Sequence, residues 1–156
     1  MQTFLQGRNG DEEDADLPRY ESCGARELGF SLAEFRELLA EIACRSLPEA
    51  CSGQARENFL DGLRLPDLLL ARACARGFTG AWERFLVLYR EKLYRAARAI
   101  APEESLAREL ADSLYAELYG MKAAGDGLRV SKLNSYTGRG SLEGWLKTVL
   151  AQEYVN

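Results

Sequence analysis

The chain has 156 residues and a mass of 17.4 kDa, with 47% hydrophobic and 28% charged residues, a formal net charge of −4 and no histidine. That composition matches an ordinary globular domain and excludes wholesale disorder, and no apolar run approaches the roughly 20 residues of a membrane span. Without histidine there can be no His-ligated metal site, no histidine general base and no histidine-dependent triad, which removes a large part of hydrolase chemistry.

The charge is graded along the chain. Residues 1–30 carry three basic and seven acidic groups, residues 31–119 twelve and fourteen, and residues 120–156 five and three. An N-terminus that runs into Asp11, Glu12, Glu13 and Asp14 lacks the apolar core of a secretory signal, so a soluble cytoplasmic protein is expected. A C-terminal end that turns positive keeps nucleic acid open as a partner. Cys23, Cys44, Cys51 and Cys74 form no CxxC pair, so they are expected to be reduced and packed as small hydrophobes. A redox pair of Cys44 and Cys51 is the minor alternative. No metal and no cofactor are expected.

Residues 1–30, acidic and without apolar periodicity, are expected to be a flexible tail. Residues 31–64 form a helical arm. It starts at Ser31-Leu-Ala-Glu34, a capping box, and the stripe Leu32, Phe35, Leu38, Leu39, Ile42 follows until Pro48 stops the helix near Leu47. Gln54–Leu60 adds a turn or two. From Leu65 the pattern becomes helical hairpins. Pro66-Asp67 opens one helix that ends at Gly77, and Thr79 caps a long one from about Gly80 to Ile100. Its stripe is Trp82, Phe85, Leu86, Tyr89, Leu93, Ala96, Ala97 and Ile100.

After Pro102, Glu103 and Glu104 suit the positive end of the next helix, which is striped by Leu106, Leu110, Leu114 and Leu118 and widened by Ala107, Ala111 and Tyr115. A Gly-rich connection of about 20 residues follows Gly120, with a short strand or turn at Leu128–Val130. Ser141 then caps a last helix with Leu142, Trp145, Leu146, Val149 and Leu150 on one side. The fold expected is all-α.

Three phrases in the second half resemble a known family. They are Asp67-Leu-Leu-Leu-Ala-Arg-Ala-Cys-Ala-Arg-Gly77 followed by Ala81-Trp-Glu-Arg-Phe85 and Leu88-Tyr-Arg-Glu-Lys-Leu-Tyr94; Glu109-Leu-Ala-Asp-Ser-Leu-Tyr-Ala-Glu-Leu-Tyr119; and Tyr136-Thr-Gly-Arg-Gly-Ser-Leu-Glu-Gly-Trp-Leu-Lys-Thr-Val-Leu150. In order and spacing they resemble domain 2 of bacterial sigma-70-family factors of the extracytoplasmic-function type. The resemblance covers residues 65–156.

It implies a helical bundle with an extra N-terminal amphipathic helix and no catalytic activity, one that binds core RNA polymerase and helps recognise and melt the −10 promoter element. Docking on the clamp coiled coil of the largest polymerase subunit would fall to Glu109, Asp112, Ser113, Ala116 and Glu117. Lys132, Arg139 and Lys147 would meet phosphates, together with Ser141 and the amides of its helix; Tyr136 would stack on a base, and Gln152 would read one. Trp145, beside Leu142 and Leu146, fits a core position better.

The chain departs from the family pattern in carrying Asp112-Ser113 where Gln-Glu is common, and Ala151-Gln152 where Arg-Asn is common. The family continues into a basic region 2.4 and a helix-turn-helix domain, so the resemblance implies a truncated domain. It also admits an anti-sigma factor as a partner. An alternative reading makes residues 1–64 a regulatory arm that masks the polymerase or DNA surface. An enzyme would have to work from carboxylates, cysteines or lysines, and no G-x-x-x-x-G-K phosphate loop is present.

Overall fold

A computed structural model describes residues 9–120 and 131–155; the side chains of residues 9–14 are outside the description. The described residues are all-α, with seven helices and no strand. The Leu128–Val130 segment lies outside the described residues. No described helix is long and apolar enough to cross a membrane. The chain divides into two units, Met1–Gly62 and Leu63–Asn156.

The first unit holds α1 (Asn9–Ser22), α2 (Leu32–Ser46) and α3 (Gly53–Asp61). The helix α1 lies inside the stretch expected to be a tail, and its last turn and the segment after it are packed. Tyr20, Cys23, Ala25, Leu28 and Phe30 are buried, and the Tyr20 hydroxyl donates to the Phe30 carbonyl at 2.6 Å. Gly24 and Gly29, both at positive φ, let the chain fold back between them. The capping box forms as expected: Glu34 N–H donates to Ser31 Oγ and Ser31 N–H to Glu34 Oε1, each at 3.1 Å.

Behind that cap, Phe35, Leu38, Leu39, Ile42 and Ala43 are buried, and α2 ends one residue before Leu47. Charge ties α1 to α3. The Arg19 guanidinium donates to Asp16 at 3.2 Å, Glu57 at 2.6 Å and Asp61 at 2.8 Å. Burial works to lower the Arg19 pKa, but the hydrogen bonds and charges of Asp61 and Glu57 outweigh it and leave the pKa raised.

The second unit is built around α4 (Leu65–Ala75), in which Leu65, Leu68, Leu69, Leu70, Ala71, Arg72, Ala73 and Cys74 are all buried. A helix apolar on nearly every side can only sit inside a bundle. It packs with α5 (Thr79–Ile100), α6 (Glu104–Tyr119), a short 3-10 turn (Lys132–Ser135) and α7 (Leu142–Val155). Gly77, at φ 84°, ends the α4 segment as expected. Thr79 is not a cap: α5 begins at Thr79 itself, behind Phe78, and no side chain caps it.

The buried row of α5 is Ala81, Phe85, Tyr89, Leu93 and Ala97; Trp82 is half-buried, stacked on Phe85 at 5.2 Å and edge-on to Tyr119 at 5.2 Å. On α6 the buried row is Ala107, Ala111, Leu114 and Leu118, and Leu106 is 45% exposed. A strict i+4 row advances about 40° per step around a 3.6-residue helix, so four leucines at that spacing cannot all face one neighbour. Ala107 and Ala111, expected to widen the face, complete it.

Of the four cysteines, Cys23 and Cys74 are buried, Cys51 is half-buried and Cys44 is exposed; all are free thiols. Burial pushes the Cys74 thiol up to about 12.

Candidate functional site

The two sets of residues singled out in the sequence sit on α6 and on the stretch from the 3-10 turn through α7, and the second unit carries both. On α6, Glu109, Asp112 and Ser113 are exposed on the face away from the Ala107/Ala111 row. Ala116 and Glu117 are half-buried, and Glu117 reaches Lys132 of the 3-10 turn at 3.4 Å. Beside this face a groove of about 710 Å³ runs between α5 and α6, lined by Val87, Arg90, Tyr94, Arg108, Asp112 and Tyr115 among others. The Tyr115 hydroxyl closes one side by donating to the Arg90 carbonyl at 2.9 Å, and burial pushes its pKa up to about 12.

The start of α7 is held by three contacts. Ser141 caps it, its Oγ accepting the Gly144 N–H at 3.0 Å. The Leu142 N–H donates to the Asp67 carboxylate of α4 at 3.0 Å, and the Trp145 N–H to the Ser141 carbonyl at 3.1 Å. The loop before it turns at Gly138, at φ 81°, where an added Cβ would stand 3.3 Å from that of Leu68. The Gly138 carbonyl accepts the Arg64 N–H at 2.8 Å, pinning the loop to the start of α4. Glycine at this position of the third phrase is therefore required by the local backbone and packing.

This geometry assigns different standing to the residues expected to meet DNA. Tyr136 is 2% exposed, donates its hydroxyl to the Gly140 carbonyl, and packs tilted against Trp145 with ring centroids 5.7 Å apart. Burial raises its pKa. It is a wall of the loop rather than an open stacking platform, while Trp145 is half-buried and partly accessible. Both rings line a cleft of about 330 Å³ with Thr137, Arg139, Ser141 and Thr148.

Lys132 is not an unpaired cation. Its ammonium lies 3.4 Å from Glu117 and 3.2 Å from Glu153, and their charges and hydrogen bonds outweigh a burial effect of opposite sign to raise its pKa. Glu117 and Lys132, expected to face two different partners, thus hold each other. Ser141 and its helix amides are likewise engaged, since an acidic side chain already occupies the positive end of α7.

Arg139, Lys147 and Gln152 are exposed. Lys147 and Gln152 border a hollow of about 540 Å³ with Thr148, Ala151 and Val155. Among the described residues no cluster of acidic, cysteine or histidine side chains could hold a metal.

Sequence reasoning missed the cations of α5. Arg84, Arg90, Lys92, Arg95 and Arg98 stand against only Glu83 and Glu91 in that helix, a surplus hidden when residues 31–119 are summed together. Counting by helix would have found it. No protein-family model, curated protein or solved structure matches the chain.

Proposed function

We propose that residues 65–156 act as a sigma-factor-like domain that binds core RNA polymerase through α6 and contributes to recognising and melting the −10 promoter element. One observation carries this reading. The three family-like phrases fall on successive helices of one bundle, and two of the three acidic positions of the middle phrase, Glu109 and Asp112, are exposed together with Ser113. A partly accessible Trp145 beside Arg139 and the start of α7 supplies an aromatic surface and a cation of the kind single-stranded DNA uses.

The test is capture of the chain by the clamp coiled coil of the largest polymerase subunit. Charge reversal at Glu109 and Asp112 together should abolish capture. Failure of the wild-type chain to be retained at low salt would end the polymerase reading.

A second reading is a regulatory or protein-interaction module with little DNA affinity of its own. The engagement of the part-buried Lys132 by Glu117 and Glu153 favours it, because a cation already paired releases fewer counterions on binding phosphate. Under it the N-terminal arm masks the polymerase or DNA surface, and deleting residues 1–63 should strengthen binding to single-stranded −10 DNA.

A further inference from the structure

We infer that the groove between α5 and α7 is a second phosphate-binding surface, which continues the path of a single DNA strand from the Tyr136/Trp145 cleft onto Lys92 and Arg95. The inference rests on the reading that the α7 face meets DNA, and it adds residues of a helix to which no DNA contact has been assigned. Lys92, Arg95, Ala96 and Ala99 are spaced i, i+3, i+4, i+7, so they share one face of α5. With Ile100, Glu143 and Lys147 they line a groove of about 430 Å³. The two alanines give it a floor of small side chains, and three cations stand at its rim against one carboxylate.

That carboxylate is divided. Glu143 lies 3.8 Å from the Lys92 ammonium and 3.5 Å from that of Lys147, and the two lysines are 50% and 55% exposed. Exposed pairs of this kind are weak and readily exchanged for another anion. Glu91, one turn before Arg95, lines the other groove, toward α6. The α5–α7 groove therefore keeps a net positive rim in a chain whose formal charge is −4.

Continuity decides the occupant. Lys147 borders both this groove and the hollow that contains Gln152, and Thr148 borders both that hollow and the Tyr136/Trp145 cleft. The three depressions thus follow one another around the exposed side of α7, from the partly accessible Trp145 to the cations Lys92 and Arg95. A flexible polyanion with stackable bases fits both ends; an acidic peptide fits only one.

The experiment is fluorescence anisotropy of a labelled single-stranded oligothymidylate titrated with the full chain over a range of salt. The double substitution Lys92→Gln/Arg95→Gln should weaken binding about tenfold at low salt and flatten the slope of log K against log salt by about 1.4. Glu143→Gln should tighten binding. All substituted residues are exposed or half-buried, and circular dichroism checks that the fold is kept.

If Arg139→Gln weakens binding while the α5 pair and Glu143→Gln change nothing, the groove inference is overturned and the reading of the α7 face stands. Competition by a polyglutamate peptide of equal charge as strong as that of unlabelled strand would also overturn it, assigning the groove to an acidic protein. Absence of any wild-type binding at low salt would remove both the groove and the DNA half of the proposed function, with polymerase capture reading the other half separately.

Discussion

The two units of this chain are held together by different means. In the second, α4 is surrounded, and its large buried Leu68 and Leu69 are joined by Phe85, Leu114, Leu118, Leu133, Leu142 and Leu146 from every segment around it. In the first, a smaller apolar cluster around Phe35, Leu39 and Ile42 is supplemented by one arginine bonded to three carboxylates and by a capping box. Burial of apolar area is insensitive to ionic strength, whereas pairs of charges are screened by it. The same protein thus carries one unit answering to volume and another answering to charge.

The comparison can be broken most severely at Phe85. Phe85→Ala should cost about 3–5 kcal/mol, read as a fall in thermal midpoint and as faster hydrogen exchange confined to residues 63–155. Exchange accelerating equally in residues 15–62 would show that the units do not respond separately.

Alkaline pH should also act on the second unit. Burial pushes Tyr89 up to about 12 and raises Tyr136, and Cys74 is up at about 12. The folded chain holds these protons when the unfolded chain has released them, so the stabilisation is complete below the unfolded pKa values and is lost as pH climbs through about 9 to 12. A loss of about 1 kcal/mol per buried phenol per pH unit above 10 is expected in denaturant titrations. A flat stability curve over that range would contradict the burial of these groups.

The first unit should yield instead to Arg19→Met. Removing the shared cation takes its close bonds from Asp16, Glu57 and Asp61, leaving only the longer pairs with Arg36 and Arg56, and should cost about 2 kcal/mol, with a smaller cost in high salt. A loss independent of salt would mean that packing of the side chain, not its charge, holds α1 to α3.

Gly138→Ala tests the second unit at a turn. A left-handed φ and a 3.3 Å approach to Leu68 together should cost about 1–2 kcal/mol, measured by chemical denaturation. The smallest expected effect is Ser31→Ala, about 1 kcal/mol from the loss of one cap, with fraying of the first turn of α2 in hydrogen exchange.

Much of this architecture could be read from residues alone, because the signals were local. A Ser-x-x-Glu box satisfies its own amides, a glycine just after an apolar row ends the helix as Gly77 and Gly120 do, and a helix like α4, apolar on nearly every side, has few places to go. What escaped was set by partners distant in sequence. The packing after α1 depends on single anchors such as Tyr20 and Phe30, which follow no period. On α6 the expected Leu114, Leu118, Ala107 and Ala111 are buried, and only the N-terminal end of the leucine row departs from expectation, because Leu106 is rotated out of the face that α5 covers.

The candidate site shows the same division. Glu109, Asp112 and Ser113 are exposed, as a face opposite an apolar row should be. The engagement of Tyr136 and Lys132 was not legible in the sequence, because it depends on Gly140 and Trp145 in one case, and on Glu117 and Glu153 in the other.

The bond from Leu142 N–H to Asp67 bears on how the chain is made. Residues 75 apart in sequence meet there, and every helix that shields α4 within its unit is translated after it. A nascent chain emerging from the ribosome would therefore present α4 before any of its shields, and complete the unit only when α7 arrived. Ribosome stalling just after α6 leaves the chamber should thus yield a protease-sensitive intermediate, and release of the final helix should convert it to a resistant one.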